Sequence, residues 1–169
     1  MIDKKLTSNL HTIILNEYEN TEGIVILEAG QIVFEEYFGN SNSKSKIHIA
    51  SVTKSILSAL IGIAIEKEYI KSTEETVMGY FPEYTSISSN GVREKVTIQN
   101  LLTMTAPYSF NDWSEPLEAF CTSPDWIEFA LQEMGQNGKI GAFKYSTASA
   151  HLLSAILTRC LLYTSPSPR

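Results

Sequence analysis

The stretch IASVTKSILSALIGIAIEKE, residues 49–68, decides how the chain is read. Val52, Ile56, Leu57, Ala59, Leu60, Ile63 and Ala64 recur at helical spacing and leave almost no polar face, which predicts a helix buried in the centre of a domain. Ser51 stands where the preceding loop becomes that helix. Lys54 follows three residues later, so the two share a face and the ammonium can reach the hydroxyl. The positive end of the helix dipole favours a developing alkoxide at Ser51. Partial burial and the same field make the Lys54 ammonium easier to deprotonate, as a base near neutral pH requires. A capping serine beside a lysine stem lying along an apolar surface gives the same letters, so this stretch alone leaves both readings open.

Ser-x-x-Lys occurs three times, at Ser41/Lys44, Ser43/Lys46 and Ser51/Lys54. The first two lie in the Ser/Asn/Lys-rich segment 39–46, a loop in which nothing fixes serine against lysine; only the third sits at the start of an apolar helix. Upstream, Leu6, Leu10, Ile13 and Ile14 form one side of an amphipathic helix. The β-rich runs 23–28 and 31–38 meet at Ala29-Gly30, a hairpin signal in which Gly30 supplies φ > 0. Downstream, Tyr80-Phe81-Pro82 and Ser88-Ser89-Asn90-Gly91 mark loops. Thr97 reads as the N-cap of a short helix through Met104, and Ser123-Pro124 as the opening of a helix through Met134. Residues 135–141 form another loop, and a last helix covers 148–159.

Composition narrows the function. The 169 residues are 43% apolar, enough for a real core, and carry a net charge of −6 with no basic patch beyond Lys44–Lys46, which argues against a nucleic-acid partner. Cys121 and Cys160 have no metal or disulfide spacing and read as free thiols; His11, His48 and His151 are scattered, so neither metal nor cofactor is expected. The N-terminal segment lacks a cleavage site, and the run 56–65 is too short for a membrane span, which together predict a cytoplasmic protein of undetermined oligomeric state. Trp113 and Trp126, with Phe110 and Phe129, read as core or pocket wall.

Four ordered segments carry a family resemblance. Ile49-Ala50-Ser51-Val52-Thr53-Lys54-Ser55-Ile56 resembles the nucleophile segment of serine β-lactamases and penicillin-binding-protein-like hydrolases. Residues 77–83 (VMGYFPE) resemble that family's loop, 96–105 (VTIQNLLTMT) its next helix, and 143–153 (FKYSTASAHLL) its Tyr-x-Asn segment with the helix that follows. The stretch 145–151 is most similar to the esterase and 6-aminohexanoate-oligomer hydrolase branch. The resemblance implies an α+β, β-lactamase/transpeptidase-like fold: an antiparallel sheet with flanking helices plus a mostly helical region. It implies a serine acyl hydrolase in which Ser51 attacks a carbonyl, Lys54 takes its proton and Tyr145 relays a proton to the leaving group. The substrates it implies are esters, small amides, D-amino-acid peptides or β-lactams. It also places Thr147 and the segment from Tyr108 to Trp113 at the substrate. A core tyrosine just before a helix remains the other reading of Tyr145.

The chain departs from the family pattern in three places. Thr147 stands where asparagine is usual and lacks the amide's paired donor and acceptor. Thr105-Ala106-Pro107 replaces the usual Thr-Ser-Gly. The Lys/His-x-Gly motif should follow Tyr145, whereas Lys139-Ile140-Gly141 precedes it. From about Cys160 the sequence breaks character into Tyr163-Thr164-Ser165-Pro166-Ser167-Pro168-Arg169. These features predict that residues 1–159 are the N-terminal part of such a domain, truncated before its C-terminal strands, and that 160–169 are an unrelated or disordered tail. A non-catalytic binding or sensor relative, or an inactive incomplete fragment, is the alternative.

Overall fold

A computed structural model describes residues 4–85, 91–113 and 116–161. Residues 162–169, most of the tail singled out above, and Ser88–Asn90 of the turn before Gly91 lie outside the described residues. The chain divides into two compact units, residues 1–49 and 50–169.

In the first unit, helix α1 (Lys4–Glu17) precedes a hairpin of β1 (Gly23–Glu28) and β2 (Gln31–Tyr37). Ala29 at φ 48° and Gly30 at φ 78° both enter the left-handed region, the geometry a two-residue hairpin turn demands. Pairing runs from Glu28 opposite Gln31 to Gly23 opposite Tyr37, with an irregularity between Ile26 and Leu27. Among the described residues of this unit, Ile14 of α1 and Phe38 are buried, and His11 meets Glu36 at 2.5 Å.

The second unit is helical, and its core gathers around two helices, α2 (Val52–Glu66) and α6 (Thr147–Cys160). Ile61 and Ala64 of α2 share a cluster with Leu152, Leu153, Ile156 and Leu157 of α6. The expectation that α2 is buried on most sides is corrected. Val52, Ile56, Leu60 and Ile63, one stripe at i, i+4, i+8 and i+11, remain 47–59% exposed. The helix is apolar all round, but among the described residues only the face bearing Ile61 and Ala64 is sealed.

Between the two helices the chain makes short 3₁₀ turns at Val77–Tyr80, Pro82–Tyr84 and Arg93–Lys95, then α3 (Ile98–Leu102), α4 (Pro116–Thr122) and α5 (Trp126–Glu133). Thr97 caps α3 as expected: its side chain accepts from the Asn100 N–H while the Asn100 side chain returns a bond to Thr97 N–H, a capping box. The start of α5 is corrected by two residues. Asp125, not Ser123, takes the Glu128 N–H at 2.9 Å, while Ser123 Oγ donates to the Asp125 carbonyl. Asp125 also accepts from Tyr84 Oη at 2.7 Å, and burial together with that bond pushes the Tyr84 phenol up to about 12. At the far end of α6, Arg159 donates to the Tyr80 carbonyl and to the Glu83 carboxylate, and its guanidinium lies over the Phe81 ring. Those hydrogen bonds hold Glu83 below the usual carboxylate range. No helix among the described residues is long and apolar enough to cross a membrane.

Candidate active site

The chain enters α2 through a strained residue. Ala50 has φ 44°, a left-handed conformation that costs an alanine free energy and persists only when its surroundings hold it. Ser51 follows in right-handed helical geometry, φ −69° and ψ −9°, and its hydroxyl makes no capping hydrogen bond. Bonds from Thr53 N–H to the Ala50 carbonyl and from Lys54 N–H to the Ser51 carbonyl wind the first turn tightly. Lys54 Nζ then donates to Ser51 Oγ at 3.2 Å. Of the two readings left open by the sequence, the capping serine is not the one seen: the hydroxyl faces the lysine.

Tyr145 arrives from the other side. Its ring lies against Lys54, with Nζ 5.0 Å from the ring centroid, a cation–π distance. The Lys54 side chain therefore touches both Ser51 and Tyr145. The segment carrying Tyr145 is fastened at several points to the loop after α3. Met104, at φ 56°, accepts from Lys144 N–H at 2.8 Å. The Thr105 carbonyl takes Gly141 N–H at 3.0 Å, and the Pro107 carbonyl takes Gly135 N–H at 2.9 Å. The Thr105-Ala106-Pro107 departure thus serves as a rail on which residues 135–144 are laid down.

The other sequence-derived candidates are placed unevenly. Thr147 lies at the start of α6 beside the groove, but its hydroxyl donates to Asp112 Oδ2 and its N–H to Asp112 Oδ1 at 2.7 Å. Tyr108 is only 2% exposed, with its hydroxyl donated to the Ala130 carbonyl at 3.1 Å and its phenol pushed up strongly by burial; it is a core side chain here. Trp113 is 86% exposed and makes no ring contact with Ser51 or Lys54 among the described residues. Asp112 lies within the segment from Tyr108 to Trp113, but nothing in the sequence singles it out. A single aspartate in a loop carries no periodicity or spacing that marks it.

A groove of about 380 Å³ opens beside the serine–lysine pair, between α2 and α6. Lys54 and Thr147 stand at its polar end, and Ile56, Leu60, Trp126 and His151 line the rest. The His151 ring packs edge-on to Trp126 at 5.1 Å and to Phe120 at 5.9 Å. Burial lowers its pKa from the ordinary 6.5, with Asp125 opposing the shift. Lining of this kind suits an acyl group or an apolar neighbour and offers no cluster of metal-ligand side chains among the described residues.

Solved structures that share the fold include two of known source. A candidate 6-aminohexanoate-dimer hydrolase from Bacillus anthracis matches with a TM-score of 0.66 at 22% identity, over 91% of this chain and 43% of that one. A candidate β-lactamase from Bacteroides dorei DSM 17855 matches with a TM-score of 0.66 at 17% identity, over 95% of this chain and 47% of that one. The chain therefore spans less than half the length of either. No curated protein matches it in sequence. The profile of the beta-lactamase family matches residues 20–161, which take in Ser51, Lys54 and Tyr145 together, and the chain belongs to that family.

Proposed function

We propose that these residues form the nucleophile side of a serine acyl hydrolase, with Ser51 as nucleophile, Lys54 as base and Tyr145 as proton relay. The observation that carries the reading is the 3.2 Å contact between Lys54 Nζ and Ser51 Oγ, made by a serine hydroxyl that does not cap its helix. In the reaction, Lys54 in its neutral form takes the Ser51 proton as Oγ bonds to the substrate carbonyl carbon. The α2 N-terminus favours the charge that develops there. The tetrahedral adduct then collapses, re-forming the carbonyl and breaking its bond to the leaving oxygen or nitrogen, which receives the proton held by Lys54 by way of Tyr145. Water then attacks the acyl-serine and releases the acid. Esters, small amides, D-amino-acid peptides and β-lactams all contain the required carbonyl. The apolar groove beside Lys54 favours substrates with an aliphatic acyl portion, in keeping with the 6-aminohexanoate-dimer hydrolase named among the structural matches.

A fluorophosphonate probe tests the assignment directly, because it reads the activated serine without requiring a substrate to be guessed. Mapping the adduct by mass spectrometry should find it on Ser51 and not on Ser41 or Ser43. Ser51→Ala should abolish labelling. Lys54→Met should slow it by ~10²-fold or more, the scale of losing a positioned base. Labelling that survives in Ser51→Ala, or that appears on the loop serines, overturns the proposal.

A further inference from the structure

We infer that Asp112 is a positioning residue for Tyr145, acting through the backbone of residues 145–147. Its catalytic meaning rests on the hydrolase reading above, while the contact stands on its own geometry. Asp112 grips the segment from both ends. Its backbone N–H donates to the Tyr145 carbonyl at 3.1 Å. Its carboxylate accepts the Thr147 N–H at 2.7 Å and the Thr147 hydroxyl on its other oxygen. Between them, Ser146 is fully buried, with its Oγ taking the Ser149 N–H at 3.1 Å. Three consecutive residues are thereby fixed, and Tyr145 is the one whose side chain extends to Lys54.

The bonds to the carboxylate are charge-assisted, roughly twice as strong as neutral ones. They also place a negative group at the N-terminus of the fourteen-residue α6, where the dipole favours it. A consequence follows for Thr147. Its one hydroxyl proton is committed to Asp112, so this side chain cannot donate to a substrate and serves as a strut. An asparagine at this position would have a carbonyl and an amide to offer; threonine with Asp112 trades that recognition for a rigid mount under the tyrosine.

Tyrosine labelled with ¹³C reads the mount without any need for turnover. The Tyr145 resonance is identified by its loss in Tyr145→Phe. Lys54→Met should shift it in the parent chain, because the ammonium over the ring is removed. Asp112→Ala should displace the resonance and abolish its response to Lys54→Met, whereas Asp112→Asn, which keeps an acceptor and a polar partner for Thr147, should retain most of that response. Should Asp112→Ala fail to fold, Thr147→Val removes one bond of the set and should give the same change at smaller size. Fluorophosphonate labelling of Ser51 should slow about tenfold in Asp112→Ala, within the range that misplacement by about 1 Å carries. It should slow no further when Asp112→Ala is added to Tyr145→Phe. The inference is overturned by a Lys54→Met response that is absent in the parent or undiminished in Asp112→Ala. It is equally overturned if Asp112→Asn does no better than Asp112→Ala, or if the labelling losses simply add, as those of a merely structural brace would. A parent chain unlabelled at Ser51 would remove the hydrolase reading instead, and the resonance alone would then judge the contact.

Discussion

At Ser51 one hydroxyl has two possible employers, the helix it precedes and the lysine one turn later. The backbone decides between them. A capping serine adopts extended geometry so that its oxygen can fold back over the first turn, whereas Ser51 is already helical and Ala50 before it takes the strain. The same conversion of a modest side chain by its surroundings is seen at His151. Walled by Trp126 and Phe120, the imidazole is easier to keep neutral than in water, and the Asp125 charge only partly compensates. The sign of its effect on stability follows. As pH falls, the unfolded chain takes up this proton first, near the ordinary 6.5, while the folded chain resists. Stability is therefore lost as pH drops below about 6.5, and the loss is complete once the lowered folded value is passed. Thermal melts from about pH 8 to pH 5 should show the parent falling more steeply below 6.5 than His151→Gln. Parallel curves would mean that another group sets the acid limit.

The elements of the site are held by loop contacts as well as by helix packing, and one glycine shows how tightly. A Cβ placed on Gly138 would lie 2.1 Å from the carbonyl carbon and oxygen of Pro107 and 2.7 Å from the carbonyl carbon of Tyr108. Backbone, not a flexible side-chain tip, occupies the space, so the rail formed by residues 104–108 and the strap 135–144 must separate to admit a methyl group. Gly138→Ala should cost about 1–3 kcal/mol in a denaturant melt, the range of overpacking in a well-packed site. Because the strap leads into Tyr145, the Lys54–Tyr145 contact should loosen with it. A variant as stable as the parent would show that the two segments are free to move apart. These contacts also mark where sequence reading stops. The hairpin, α3 and α6 were legible because each announces itself locally: Ala29-Gly30 between two β-rich runs, the Thr97 cap, and an apolar repeat after Tyr145. The Ser51/Lys54 pair was legible because spacing on a helix is geometry in itself. The start of α5 was misplaced because Ser123 and Asp125 are both good caps, and only the fold shows which N–H groups each can reach. Helix α4, Asp112 and the Gly138 close approach leave no periodic trace. They depend on pairs of residues 30 or more positions apart, or on packing that no local pattern encodes.

On the scale of the whole molecule, α2 presents a conflict between its composition and its surroundings. Ile61 and Ala64 are sealed against α6, yet Val52, Ile56, Leu60 and Ile63 leave an apolar stripe in the open, continued by exposed Tyr69 and Leu161, which line a second groove between α2 and α6. Single exposed apolar residues are ordinary on soluble proteins, but a contiguous stripe of this kind marks a surface that buries itself against something. The two solved structures described above devote more than half of their length to structure with no counterpart in these 169 residues. The 169-residue chain by itself is therefore expected to self-associate, to bind an apolar dye, and to hydrolyse esters weakly if at all, since partners that cover α2 would also complete the substrate's surroundings. Substitutions can separate this from general instability. Leu60→Lys and Ile63→Lys charge the open stripe and should raise the monomer fraction in sedimentation velocity and reduce dye binding, with little change in the thermal midpoint. Ile61→Lys buries a charge in the sealed face and should prevent cooperative folding, since an unpaired buried charge is far more costly than an exposed one. A parent chain that stays monomeric at high concentration, binds no dye and turns over ester with a Ser51-dependent rate would show that the stripe needs no cover and that these residues suffice for catalysis.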